Sequence, residues 1–165
     1  MLVPPRCPSP GCSRLHSSKI GAWCEVITSA SLGETSQCRR TSSSEATMTA
    51  SGVNVSLGCD GGPSNNTYDM IRDMRLAAYL AKLREGDAAA APAEMMLEMA
   101  TINGARAMGL GDQVGSIEVG KRADLIVVNM DAPHLTPAWD PVSTIVYAAT
   151  GDDVDTVMID GRLVM

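Results

Sequence analysis

From residue 48 onward the sequence predicts an α/β fold, because its hydrophobic period changes twice along the chain. A short β-rich run, GVNVSLGCD at 52–60, comes first and is ended by a glycine turn. Two stretches of helical spacing follow. Short apolar runs set off by glycine then fill the remainder, and the last of them folds back on itself at Asp160-Gly161.

Each element has a local reason. Val53, Val55 and Leu57 give the first run the apolar, β-branched character of a buried strand. In the next element, residues 69–84, Met70, Met74, Ala77 and Ala81 form one stripe, widened by Ile71 and Ala78. Arg72, Arg75, Lys82 and Arg84 keep to other faces. Asn66 or Thr67 is expected to cap this helix, Asp69 suits its first turn, and Gly86 ends it. A second helix is expected over 92–109, with Pro92 in its first turn and Gly109 as terminator. Gly104 inside it costs up to about 1 kcal/mol relative to alanine, which suggests close packing against a neighbour. Beyond it, Gly115 and Gly120 bracket a short expected strand, and Leu125-Ile126-Val127-Val128 is a second. Asp160-Gly161 is a favoured type I′ pair for the closing hairpin.

The bulk properties narrow the function classes. The chain has 165 residues, 45 % of them hydrophobic and 19 % charged, which suits one ordinary domain. Aromatics are 3 %, phenylalanine is absent, and eleven methionines fill core space in their place. A net charge of −6 with no basic stripe argues against nucleic acid or an anionic membrane as partner. No stretch reaches the roughly 18 apolar residues of a membrane span, and the start lacks the apolar segment of a secretory signal. A cytoplasmic protein is expected. The five cysteines, Cys7, Cys12, Cys24, Cys38 and Cys59, form no C-x2-C pair, and His16 and His134 lie far apart. No complete zinc-ligand set is recognisable at that spacing.

Residues 1–47 read differently. They are rich in Ser, Cys, Arg and Pro and show no sustained period, so an irregular or disordered leader is expected there. A transit peptide shares the Arg- and Ser-rich bias, but Glu25, Glu34 and the cysteines fit it poorly. The sharp shift near Met48 also fits an out-of-frame or misassembled leader. Tryptic peptides from residues 20–40 in the native product would exclude that.

One combination of motifs is specific. Cys59-Asp60-Gly61, then Ser64-Asn65-Asn66, then Asp69-Met70 and Met74-Arg75, occur in that order. Ala100-Thr101-Ile102-Asn103-Gly104-Ala105-Arg106-Ala107 follows, then Gly115-Ser116-Ile117-Glu118-Val119-Gly120-Lys121-Arg122-Ala123-Asp124-Leu125. Pro133-His134-Leu135-Thr136-Pro137 and the Asp160-Gly161 hairpin complete the series. Over about residues 50–165 this resembles the amidohydrolase superfamily, in its branch of chlorohydrolases and aminohydrolases acting on triazines, purines and adenosine-type rings. The resemblance implies the C-terminal part of a metal-dependent (β/α)8 barrel, with a small β-sandwich. Residues 48–112 would be the end of the barrel, with 52–60 as its eighth strand, and 113–165 part of the sandwich.

The resemblance also implies a chemistry. One or two divalent metals, commonly zinc or iron, lower the pKa of a bound water from about 15.7 towards about 7. The hydroxide attacks an electron-poor ring carbon or carbonyl of a small-molecule substrate. The eighth-strand aspartate contacts the metal and shuttles the water's proton, and that role passes to Asp60. Asp60 stands at the C-terminal end of its strand, where barrel active sites are built. Read without the family, an aspartate before glycine is a turn or capping residue. Ser64 and Asn65 have two readings, substrate contact or turn-making and helix capping. Gly61 and Gly62 would let the backbone turn tightly, without the spacing of a phosphate-binding loop. His134 matches no metal position of the family and reads as packing, and Cys59 as a small buried filler.

A complete barrel needs about 250 residues, more than this chain has. The family's His-x-His pair, its later histidines and its glutamate acid have no counterpart here. The expectation is therefore an incomplete, inactive piece of a C–N hydrolase that does not retain metal by itself. The alternative is a non-catalytic truncated pseudo-enzyme or interaction module. A homo-oligomer is compatible with either, and deamination is expected over dechlorination.

Overall fold

The computed structural model describes the backbone strand at 24–28 and all of residues 51–165. The expectations for the remainder of the leader lie outside the described residues. Strand β1 (Cys24–Thr28) pairs antiparallel with β2 (Val55–Cys59), with Val26 opposite Leu57. No element was expected at 24–28, where the local sequence carries no strong period.

A one-turn helix, α1 (Gly62–Asn65), follows β2, and then the long helix α2 (Met70–Glu85). The expected stripe on α2 is the buried face: Ile71, Met74, Ala77, Ala78 and Ala81 are all inside. The N-cap differs from expectation. Asp69 takes that position, its Oδ1 accepting from Ile71 N at 3.0 Å and Arg72 N at 3.2 Å. Asn66 cannot serve, because it closes α1 in the left-handed region at φ 61°. Gly86 ends α2 with φ 66°, as its position predicts.

The expected second helix is two. Helix α3 (Ala93–Ala100) and helix α4 (Ile102–Ala107) are divided at Thr101, whose φ −124° and ψ −96° leave the helical region. The Thr101 hydroxyl donates back to the Leu97 carbonyl at 2.6 Å. Pro92 is the N-cap of α3 and not its first residue. The close approach expected at Gly104 lies elsewhere: a Cβ there would meet only the Met99 carbonyl, at an ordinary 3.9 Å. Gly115 makes the tight contact. A Cβ on it would fall 2.7 Å from Ala105 Cβ, and its φ is +93°. It seals the following loop onto α4. Residues 116–119, expected as a strand, form an irregular segment between a bend at Ser116 and a turn at Val119.

Strand β3 (Leu125–Val128) pairs antiparallel with β4 (Val154–Ile159), which pairs with β5 (Arg162–Leu163). The expected hairpin is present, with Asp160 and Gly161 both at positive φ, 51° and 74°. Between β3 and β4 runs helix α5 (Pro141–Tyr147), capped by Asp140. One core unites Val55 and Leu57 of β2, the α2 stripe, Met96 and Met99 of α3, Leu135, and Val146 and Ala149 at the end of α5. No helix among the described residues is long and apolar enough to cross a membrane.

Candidate functional site

Strand β2 positions the candidate carboxylate. Val55, Ser56 and Leu57 are buried, and Gly58, Cys59 and Asp60 after them are half-buried. Asp60 Oδ1 accepts from Gly61 N at 2.7 Å, which turns one carboxylate oxygen back onto its own loop. Among the described residues this is the only hydrogen bond the carboxylate receives, so Oδ2 is left over.

The loop then closes as α1. Ser64 N and Asn65 N donate to the Gly61 carbonyl at 2.8 and 3.0 Å. Gly61 has φ −59°, so its turn does not depend on a left-handed backbone. A Cβ on Gly62 would lie 2.8 Å from the hydroxyl of Tyr68, an exposed side chain that could swing aside.

The two predicted contact residues separate. Ser64 is exposed, and its hydroxyl forms no hydrogen bond among the described residues. Asn65 is half-buried, and its Nδ2 donates to both oxygens of Asp73 at 3.2 Å and to the Thr67 carbonyl at 3.4 Å. Asp73 was missed from sequence, and Thr67 was expected only as a helix cap. The signal for Asp73 was available: it is a charge beside the apolar stripe of α2, and it is 3 % exposed.

His134 stands at the β4 corner with its side chain 52 % exposed. Its Nε2 lies 3.0 Å from Asp153 Oδ2, which also accepts from Thr150 N at 2.8 Å. The hydrogen bond from His134, then that from Thr150, holds the Asp153 carboxyl below the usual carboxylate range. A separate depression of about 510 Å³ beside α4 is lined by Arg106, Asp112, Glu118 and Lys121 among others, and none of the predicted site residues borders it.

A zinc centre takes three or four protein donors. Among the described residues no group of three or more His, Cys, Asp or Glu is placed to hold a metal ion. Asp60 is a single donor, so the described residues do not form a metal centre by themselves.

The amidohydrolase family model matches residues 36–164, and the chain belongs to that family. It is 52 % identical over 118 residues to a 5-methylthioadenosine/S-adenosylhomocysteine deaminase of Moorella thermoacetica, a match covering 72 % of this chain and 28 % of that protein. A 5'-deoxyadenosine deaminase of Methanosarcina acetivorans is 50 % identical over 118 residues, covering 72 % and 27 %. Among solved structures, an adenosine deaminase from Xanthomonas campestris with bound zinc matches at TM-score 0.70 and 43 % identity, over 72 % of this chain and 27 % of that one. The chain thus spans about a quarter of the length of the relatives it matches.

Proposed function

We propose that this chain carries the last barrel strand, the helices after it and part of the β-sandwich of a metal-dependent aminohydrolase. Its reaction is hydrolysis of a non-peptide C–N bond in an adenosine-like small molecule. The observation that carries the reading is the carboxylate at the end of β2. A strand buried at Val55 and Leu57 delivers Asp60 to an accessible end with one oxygen fixed by Gly61 and the other unengaged. The relatives named as deaminases support the reaction class, and the zinc-bound adenosine deaminase supports a divalent metal in the family.

In this reading Asp60 Oδ2 takes and returns the proton moved during hydrolysis, since Oδ1 is committed to the Gly61 amide. Ser64 and Asn65, on the turn immediately after, contact the substrate. Among the described residues Asp60 is the one metal donor this reading uses, so the chain by itself is expected to bind zinc weakly and to turn nothing over. The decisive test replaces the matching segment of the Moorella thermoacetica relative with residues 48–165 of this chain. The chimera should deaminate 5-methylthioadenosine, and Asp60→Ala should reduce the rate by about 10²-fold or more. An Asp60→Ala chimera with undiminished activity would refute the reading.

A second reading, a non-catalytic interaction module, is favoured by the apolar residues on the β3–β5 sheet. Ile126, Val127, Leu163 and Met165 are 48–71 % exposed. A folded, monodisperse monomer in sedimentation experiments would count against it.

A further inference from the structure

A polar pair ties the turn after Asp60 to α2: Asn65, which the reading above sets against substrate, and Asp73, which that reading does not use. Asp73 is on the buried side of α2, between Ile71 and Met74, and is 3 % exposed. A carboxylate removed from water needs donors. Among the described residues no Lys, Arg or His forms an ion pair with it. Its side-chain donor is the Asn65 amide, with Nδ2 at 3.2 Å from both oxygens.

That contact fixes which way the amide faces. Nδ2 carries the hydrogens of the amide and lies within reach of both Asp73 oxygens, so the nitrogen of Asn65 is turned towards Asp73. Its remaining hydrogen is directed to the Thr67 carbonyl at 3.4 Å. Both hydrogens are thereby engaged, and Oδ1 has no partner among the described residues. Asn65 is half-buried, so Oδ1 is not sealed off from solvent by the core.

We propose that Asp73 is a positioning residue for this turn: it locks the Asn65 amide nitrogen inward, so that residue 65 offers only a carbonyl acceptor to an N–H or O–H of the ligand. The ligand half of this statement rests on the reading that the turn contacts substrate. The lock itself does not, and it is tested separately.

The test uses the full 165-residue chain, with side-chain amide hydrogen exchange followed by nitrogen-15 NMR. The Asn65 amide hydrogens should exchange about tenfold or more slowly than those of exposed asparagines, reflecting a hydrogen bond to a charged group. Asp73→Ala, which leaves no side-chain acceptor, should abolish that protection. The exchanged pair, Asn65→Asp with Asp73→Asn, reverses donor and acceptor, and should restore protection, now on the residue 73 amide. General loss of packing would not produce that rescue. Unprotected Asn65 hydrogens in the unsubstituted chain, or an exchanged pair without rescue, would overturn the proposal. If protection and rescue are found while the Asp60→Ala chimera stays active, the lock stands and the aminohydrolase reading falls.

Discussion

The helical part of the molecule and its three-stranded sheet bury apolar side chains very differently. Around β2, α2 and α3, Val55, Ala78, Met96 and Met99 are each 0 % exposed. In the sheet, Ile126 is 50 %, Ile159 52 % and Leu163 71 % exposed, although these residues are as apolar as those inside. The difference is one of layers. A β-strand stabilises when a second layer covers its face, and β2 has that cover in α2, α3 and α4. The β3–β4–β5 sheet makes its backbone ladders and its hairpin, but the described residues leave much of its apolar surface uncovered. Stability should therefore be concentrated in the helical part, and substitutions can measure how unequal the division is.

The largest effect is expected at Met99. It is wholly buried on α3 within the core, and alanine there removes most of a large side chain that surrounding groups cannot fully replace. Met99→Ala should cost about 2–5 kcal/mol, read as a lowered midpoint in urea denaturation. A loss under 1 kcal/mol, on the same scale, would mean that the helical core is not the main source of stability.

Asp69→Ala comes next, and it probes the seam between the two regions. One oxygen of Asp69 caps α2 through Ile71 and Arg72, while Oδ2 accepts from Gly151 N at 3.0 Å, just before β4. Loss of the cap should cost about 1–2 kcal/mol in thermal or urea denaturation. Asp69→Asn keeps an acceptor for the cap and should recover part of it. Arg75 adds a parallel tie, donating to the carbonyls of Val146 and Ala149.

These cases also mark what could be read from sequence. The α2 stripe, its Gly86 terminator and the Asp160-Gly161 hairpin depend on residues within one or two turns of each other, so local pattern suffices for them. The cap at Asp69 was displaced from Asn66 or Thr67 because Asn66 ends α1 and Thr67 Oγ1 instead accepts from Asp69 N at 3.1 Å. The division at Thr101 was hidden because helical spacing continues on both sides of it. Gly104 was given a packing role that belongs to Gly115, whose contact with Ala105 joins a loop to a helix and has no local signature. The place of Asp60 at a strand end was legible because strand end and glycine turn are adjacent in sequence, but its candidate role came only from the family resemblance. The Asn65–Asp73 pair was not, because one partner lies on a turn and the other on a helix face eight residues later.

The smallest effect is expected in the sheet, and it is the sharpest check on the comparison. Ile126 lies at mid-strand in β3, paired with Val157, and half its surface remains in contact with solvent. Ile126→Ala should therefore lose only part of a side-chain transfer term and some strand preference, with little cavity left behind. A cost below about 1 kcal/mol in the same denaturation experiment is expected. If Ile126→Ala instead costs as much as Met99→Ala, the sheet face is covered in solution by a layer outside the described residues. In that case the Ile126 variant should also change the sedimentation behaviour if the cover is a second copy, and leave it unchanged if the cover belongs to the same chain.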